Sequence, residues 1–96
     1  MLTLKPNCES CGIDLPPNSL DAMICSFECT FCRRCAENLL HNICPNCGGG
    51  FEKRPIRPEA SLTAFPASEE PIKAGVDQDQ HLEFLRRYRG VAPERR

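Results

Sequence analysis

The sequence predicts a small domain that is stabilised by metal ions rather than by a large hydrophobic core, followed by a largely disordered tail. The chain has 96 residues and 8 cysteines, and every cysteine lies between Cys8 and Cys47. The second half of the chain has no cysteine and contains most of the 9 prolines. A chain this short cannot bury a large core, so it normally needs a metal or a disulfide as an additional source of stability.

The composition also restricts the setting in which the chain works. No stretch approaches the ~20 consecutive apolar residues of a membrane-spanning helix, and the first residues lack the charged and apolar regions of a secretory signal. We therefore expect a cytoplasmic protein with no membrane partner. In a reducing compartment, clustered cysteines bind metal more often than they form disulfides.

The cysteines are arranged in four closely spaced pairs. Their spacing is Cys8-x2-Cys11-x13-Cys25-x3-Cys29-x2-Cys32-x2-Cys35-x8-Cys44-x2-Cys47. A C-x2-C pair bends into a tight knuckle that directs both sulfurs at one ion, and two pairs complete the tetrahedron that zinc prefers. Gly12 and Gly48 directly follow the first and last pairs, where glycine accepts a positive φ without steric cost. Pro45 favours the turn inside the last pair.

Two parts of the sequence resemble the core of a RING finger. They are residues 29–35, Cys-Thr-Phe-Cys-Arg-Arg-Cys, and residues 44–47, Cys-Pro-Asn-Cys. Cys29 stands where that family usually has histidine, and Phe31 where it has a buried aromatic side chain. The resemblance covers residues 8–47. It implies a RING-like cross-brace of treble-clef type, with short β-hairpins, one short helix and two Zn²⁺ ions. Residues 36–40 have the propensity to form that helix.

The resemblance also implies which cysteines share an ion. The first and third pairs would bind one zinc ion, and the second and fourth pairs the other. The implied ligands are Cys8, Cys11, Cys32 and Cys35 at site 1, and Cys25, Cys29, Cys44 and Cys47 at site 2. The sequence, including its Pro-Ile-Arg-Pro segment, is also similar to a small bacterial family known as domain of unknown function 1272. That similarity implies a bacterial setting and no particular activity.

Two other metal arrangements remain open from the spacing. Sequential pairing, as in LIM domains, would join the first pair to the second and the third to the fourth, although LIM domains use a longer final spacer. An iron–sulfur cluster is the other alternative, because three cysteines at 29–35 with a later Cys-Pro resemble a ferredoxin run.

We divide the chain into four segments. Residues 1–50 form the double-zinc module, residues 51–76 a proline-rich linker, residues 77–90 a short helix, and residues 91–96 a basic end. Asp77 can cap the helix with Gln80 as its capping-box partner, and Gly90 is a suitable residue just past its end. We expect the apolar face of this helix to be exposed on a tether, as a partner-binding element.

The predicted function is a non-catalytic zinc-binding module that mediates protein interaction or regulation. Its expected partner is another protein. With all eight cysteines used as ligands, neither ion keeps an open position for chemistry and no thiol remains as a nucleophile. His41 and His81 are the only histidines. We expect His41 at a helix end or on the surface and His81 in solvent, so the chain is not predicted to be an enzyme.

Two alternative functions follow from particular features. A ubiquitin-ligase-like module would recruit a conjugating enzyme, and the RING resemblance implies docking through Pro45, Leu39 or Leu40 and an aliphatic residue such as Ile13. However, Gly48 stands where that family often has a cation.

A nucleic-acid-binding protein is the second alternative. It would use the arginine-rich C-terminus and stack bases on Tyr88. The acidic character that thiolate ligands give the first half of the chain opposes this function. The cations concerned are Arg86, Arg87, Arg89, Arg95 and Arg96.

Overall fold

A three-stranded antiparallel sheet lies at the centre of the computed structural model, which describes residues 1–96. Its strands are β1 (Ala22–Ile24), β2 (Thr30–Cys32) and β3 (Glu52–Lys53). The order is β2-β1-β3, and Met23 in β1 is opposite Phe31 in β2 and Lys53 in β3. The strands β1 and β2 form a hairpin, and residues 25–29 connect them.

One helical turn lies between β2 and β3, and the other helical segments follow β3. A single π-helical turn covers Cys35–Leu39, where the backbone N–H of Leu40 donates to the carbonyl of Cys35 at 2.8 Å. The C-terminal helix α1 covers Gln78–Tyr88, and two short 3₁₀ turns cover Glu59–Ser61 and Pro93–Arg95. None of these helices has the length and apolarity needed to cross a membrane.

Helix α1 begins and ends close to the residues that the sequence predicts. The Asp77 carboxylate accepts a hydrogen bond from the backbone N–H of Gln80 at 3.0 Å, which satisfies one of the free donors in the first turn. Gly90, just beyond the last turn, has φ +76°. Local cap chemistry therefore accounts for both ends of this helix.

Sulfur makes up a large part of the core. The main buried cluster contains twelve residues, and six of them are cysteines. Phe31, expected to be buried, is fully inaccessible and packs edge-to-face on Phe51 with ring centroids 5.2 Å apart. The non-sulfur members are Leu15, Ala22, Phe31, Ala36, Leu40 and Phe51. So small an apolar core supports the inference that metal binding supplies much of the stability.

The folded module extends past residue 50, where we expected the linker to begin. Phe51 belongs to the core, residues 52–53 form β3, and Arg54 is only 1% exposed. The Arg54 guanidinium donates to the carbonyls of Lys5, Leu15 and Pro16 at 2.9–3.2 Å. A two-residue strand is too short to show a periodic pattern. Arg54 binds only backbone carbonyls, so no acidic residue in the sequence marks it as buried, and this boundary could not be predicted.

The C-terminal tail lies against the module in the structure, in contrast to the expected tether. The Arg57 guanidinium donates to the carbonyl of Leu2 at 2.6 Å, and Arg96 donates to the carbonyl of Gly48 at 3.1 Å. Helix α1 approaches Gly48 so closely that a Cβ there would lie 2.8 Å from the Tyr88 ring. The missing side chain of Gly48 is what allows the helix to pack on this knuckle.

Candidate metal centres

Four cysteine sulfurs, from the first and third pairs, form one group. The Sγ atoms of Cys8, Cys11, Cys32 and Cys35 all lie within 4.8 Å of one another. The Cys11 and Cys32 sulfurs are 3.8 Å apart. A tetrahedral ion with metal–sulfur bonds of ~2.3 Å places its sulfurs about 3.8 Å apart, so the spacing fits one ion.

Three sulfurs from the second and fourth pairs form another group. The Sγ atoms of Cys25, Cys44 and Cys47 lie within 4.8 Å of one another. Cys29, the fourth residue predicted for this site, lies outside that limit. Cys29 nevertheless belongs to the same buried cluster as Cys25 and Cys44, and its sulfur accepts a hydrogen bond from Asn46 Nδ2 at 3.4 Å. Cys29 is therefore at the edge of the second group.

The first knuckle is shaped by backbone hydrogen bonds around Cys8. Its sulfur accepts from the backbone N–H groups of Ser10 at 3.3 Å and Cys11 at 3.5 Å, and its carbonyl accepts from Gly12 at 3.0 Å. Gly12 has φ +81°. Such N–H···S bonds orient the sulfur for metal binding.

The last knuckle repeats this geometry. The backbone N–H of Gly48 donates to the carbonyl of Cys44 at 2.8 Å, and that of Gly49 donates to Cys47 Sγ at 3.4 Å. Gly48 has φ +78°. Both knuckle glycines thus have the positive φ that the sequence predicted for them.

The two middle pairs are held by the hairpin. Cys25 and Cys29 lie in the β1–β2 connection, where the backbone N–H of Cys25 donates to the carbonyl of Cys29 at 3.1 Å. Glu28 has φ +66° in this turn, a conformation that the sequence did not indicate because glutamate rarely adopts it. Cys32 ends β2, and its sulfur accepts from the backbone N–H of Cys35 at 3.5 Å.

A backbone contact explains why the first knuckle reaches the third pair. The backbone N–H of Glu9 donates to the carbonyl of Thr30 at 2.9 Å, and the Glu9 carboxylate accepts from the backbone N–H of Thr30 at 2.6 Å. These bonds hold the first knuckle alongside β2, whose last residue is Cys32.

Burial makes four of the eight thiols reluctant to ionise without a cation. It raises the pKa of Cys35 to about 12 and also raises the pKa values of Cys29, Cys32 and Cys44. A bound divalent cation reverses this preference because it stabilises the thiolate directly. Closely grouped buried thiols are therefore suited to a metal and poorly suited to ionising alone.

Cys11 is the exception, because its side chain is exposed. Its slight burial raises the pKa, but the backbone N–H of Ile13 and the neighbouring thiols outweigh that effect and lower the pKa to about 7. The sulfur of Cys11 is thus the most accessible point of the first group.

Neither histidine belongs to a sulfur group. His41 is exposed with φ +53°. His81, which we expected in solvent, is 5% exposed, and its Nε2 lies 3.0 Å from the carbonyl of Leu40. The sequence could not indicate this burial, because it depends on α1 packing against the end of the π-helical turn.

The fold and the sulfur groups define a small cysteine-rich domain that can bind metal at two places. The profile of a family described as "Protein of unknown function (DUF1272)" matches residues 1–57, and the chain belongs to that family. The chain is also similar to Uncharacterized protein R02474 of Rhizobium meliloti (strain 1021). The two are 62% identical over 68 residues, which cover 71% of this chain and 81% of the relative. No solved structure matches the chain.

Proposed function

We propose that the protein is a non-catalytic module that binds two zinc ions and mediates interaction with another protein. The observation that carries the proposal is the grouping of seven cysteine sulfurs into sets of four and three, each within 4.8 Å. All-sulfur tetrahedral sets of this kind suit Zn²⁺, which has no redox chemistry of its own.

In this proposal each zinc ion is bound by four cysteines. Cys8, Cys11, Cys32 and Cys35 bind one ion, and Cys25, Cys29, Cys44 and Cys47 bind the other. Cys29 completes the second set because its sulfur is bonded to Asn46, which lies between Cys44 and Cys47, and because it shares a buried cluster with Cys25 and Cys44. Four thiolates close the coordination sphere, so the ions would hold the fold together and leave no position for a substrate or an activated water.

The iron–sulfur alternative has less support from the geometry. It would require the cysteines at 29, 32 and 35 to bind one cluster. The extended strand β2 carries the chain about 10 Å between Cys29 and Cys32, and these residues lie at different sulfur groups. The sequential pairing has less support for a similar reason, because the first pair lies with the third.

The two functional alternatives are also less favoured. A ligase-like role would use Pro45, which is fully buried, and the surface beside Gly48, which α1 covers. Base stacking on Tyr88 would require a free ring, yet this ring stacks on Phe84 with centroids 6.0 Å apart and lies against Gly48. A surface for a protein partner remains, because Phe27 in the hairpin turn is 74% exposed.

Native mass spectrometry of the protein as purified tests the proposal. We expect two zinc ions per chain. Cys8→Ser should lose the ion of the first site, and Asp14→Ala, which changes an exposed side chain just past the same knuckle, should keep both. For the second site, Cys29→Ser is compared with Ser26→Ala, which changes an exposed residue in the same turn. A folded chain without metal, or a Cys29→Ser variant that binds both ions as tightly as the original chain, would contradict the proposed ligand sets.

A further inference from the structure

The segment of the tail between residues 68 and 76 lies in a groove along the N-terminal segment of the module. The backbone N–H of Ser68 donates to the carbonyl of Leu4 at 3.0 Å, and that of Gly75 donates to the carbonyl of Glu9 at 3.0 Å. Between these two contacts, the Asn7 side chain binds the backbone of Ile72. The segment contains no helix or strand.

The contact at Asn7 recognises a peptide backbone. Its Oδ1 accepts from the backbone N–H of Ile72 at 2.8 Å, and its Nδ2 donates to the carbonyl of Ile72 at 2.9 Å. One side-chain amide thus satisfies both polar groups of a single residue. With the segment in place Asn7 is only 7% exposed, so both hydrogen bonds are largely shielded from water, which strengthens them.

The groove is fixed by the module itself. Glu9 is bonded to Thr30 through both its backbone N–H and its carboxylate. The backbone of Asn7 pairs with that of Asp14, and its Nδ2 also donates to the carbonyl of Cys8 at 3.1 Å. These contacts do not involve the tail, so the binding atoms are already in place for a ligand.

The tail segment fits this groove incompletely. Ile72 and Val76 are only partly buried, although Val76 packs against the core cluster. A crevice of about 310 Å³ remains between the segment and the module, bordered by Pro6, Asn7 and Ile72 among others. The segment also lies outside the part of the chain that matches the family, residues 1–57.

We propose that this groove is a binding site for extended peptides, with residues 68–76 as its resident, displaceable ligand. The partner it fits is an extended segment of another protein. That segment would offer the N–H and carbonyl of one residue to Asn7 and the N–H of a residue three positions later to Glu9. This proposal rests on the proposed function, because Cys8 and Cys11 form the knuckle from which one wall of the groove is built.

The test uses the full chain with two protease sites, one inserted at the exposed residues 63–64 and one between Val76 and the exposed Asp77, so that cleavage after folding frees the segment from both the module and α1. A fluorescent peptide of residues 66–78 is added, and its binding is measured by fluorescence polarisation. We expect it to bind the cleaved chain at least about tenfold more tightly than the uncleaved chain, whose own segment competes at a high effective concentration.

Substitutions in the peptide test its contact with Asn7 and leave the sequence of the protein unchanged. Replacing Ile72 of the peptide by proline removes the backbone N–H that donates to Asn7 Oδ1. This change should weaken binding of the peptide to the cleaved chain about tenfold. A peptide with Lys73→Ala, which changes an exposed side chain, should bind as the original does. Equal binding of the two altered peptides, or no binding of any peptide to a cleaved chain that keeps its zinc, would overturn the groove proposal alone.

Zinc content is measured on the same samples, which separates the two proposals. Loss of zinc only after cleavage would overturn the groove proposal, because the segment would then be part of the fold rather than a ligand. Absence of zinc from the intact chain would instead contradict the proposed function.

Discussion

Replacing Arg54 by methionine should destabilise the module strongly, although arginine at the end of a polar run looks like a surface residue. Its guanidinium is buried and donates three hydrogen bonds to backbone carbonyls. Methionine keeps the apolar stem but leaves the buried carbonyl of Leu15 without a donor, at a cost of about 1–3 kcal/mol, and removes two partly buried bonds worth about 1 kcal/mol each. We therefore expect a loss of about 3–5 kcal/mol.

The matched control is Arg57→Met, three residues later. The Arg57 guanidinium also binds only carbonyls, but it is half-exposed, so its loss should cost about 1 kcal/mol. Both variants are compared with the original chain by urea unfolding followed by circular dichroism, with zinc present and its content measured. An Arg54→Met variant no less stable than Arg57→Met would refute the idea that Arg54 joins the N-terminal segment to the rest of the module.

Four further predictions concern the core, the tail contact and the metal. Phe31→Ala should lower the free energy of unfolding by ~3–5 kcal/mol, whereas Phe27→Ala, in the exposed turn, should change it by less than about 0.5 kcal/mol; equal effects in urea unfolding would contradict the assigned core. Gly48→Ala should detach α1, because a Cβ there meets the Tyr88 ring at 2.8 Å, and the freed helix should show faster amide hydrogen exchange than in Gly49→Ala. Serine at any of the eight cysteines should unfold the module or the lobe around that site, as seen in the circular dichroism spectrum. Because burial raises the pKa of Cys35 to about 12, protons compete for its sulfur at every pH below that value, so metal should be released progressively as the solution is acidified; release to a zinc-sensitive dye on raising the pH instead would contradict this.

Local rules of backbone chemistry predicted several features of this protein correctly. Gly12 and Gly48 have positive φ, and Asp77 caps α1. Each of these depends on a residue and its near neighbours in sequence. The spacing of the cysteines likewise indicated metal binding, because C-x2-C pairs at short intervals are typical of metal sites.

Contacts between distant parts of the chain could not be predicted in the same way. Asn7 binds Ile72 across 65 residues, and Arg54 binds the carbonyl of Leu15 across 39. Both use backbone groups, which every residue has, so no pattern of side chains marks the partner. The spacing alone also left two orders of cysteine pairing open, and the contact of Glu9 with Thr30 is what brings the first pair to the third.

The most direct test of the central claim is X-ray absorption at the zinc edge of the full chain as purified. The claim is that sulfur–metal bonds, with no vacant coordination position, determine this fold. The account predicts a signal at the zinc edge with four sulfur neighbours at ~2.3 Å on average and no lighter atom bound. An oxygen or nitrogen neighbour at either ion, or a folded chain with no absorption at the zinc edge, would contradict it.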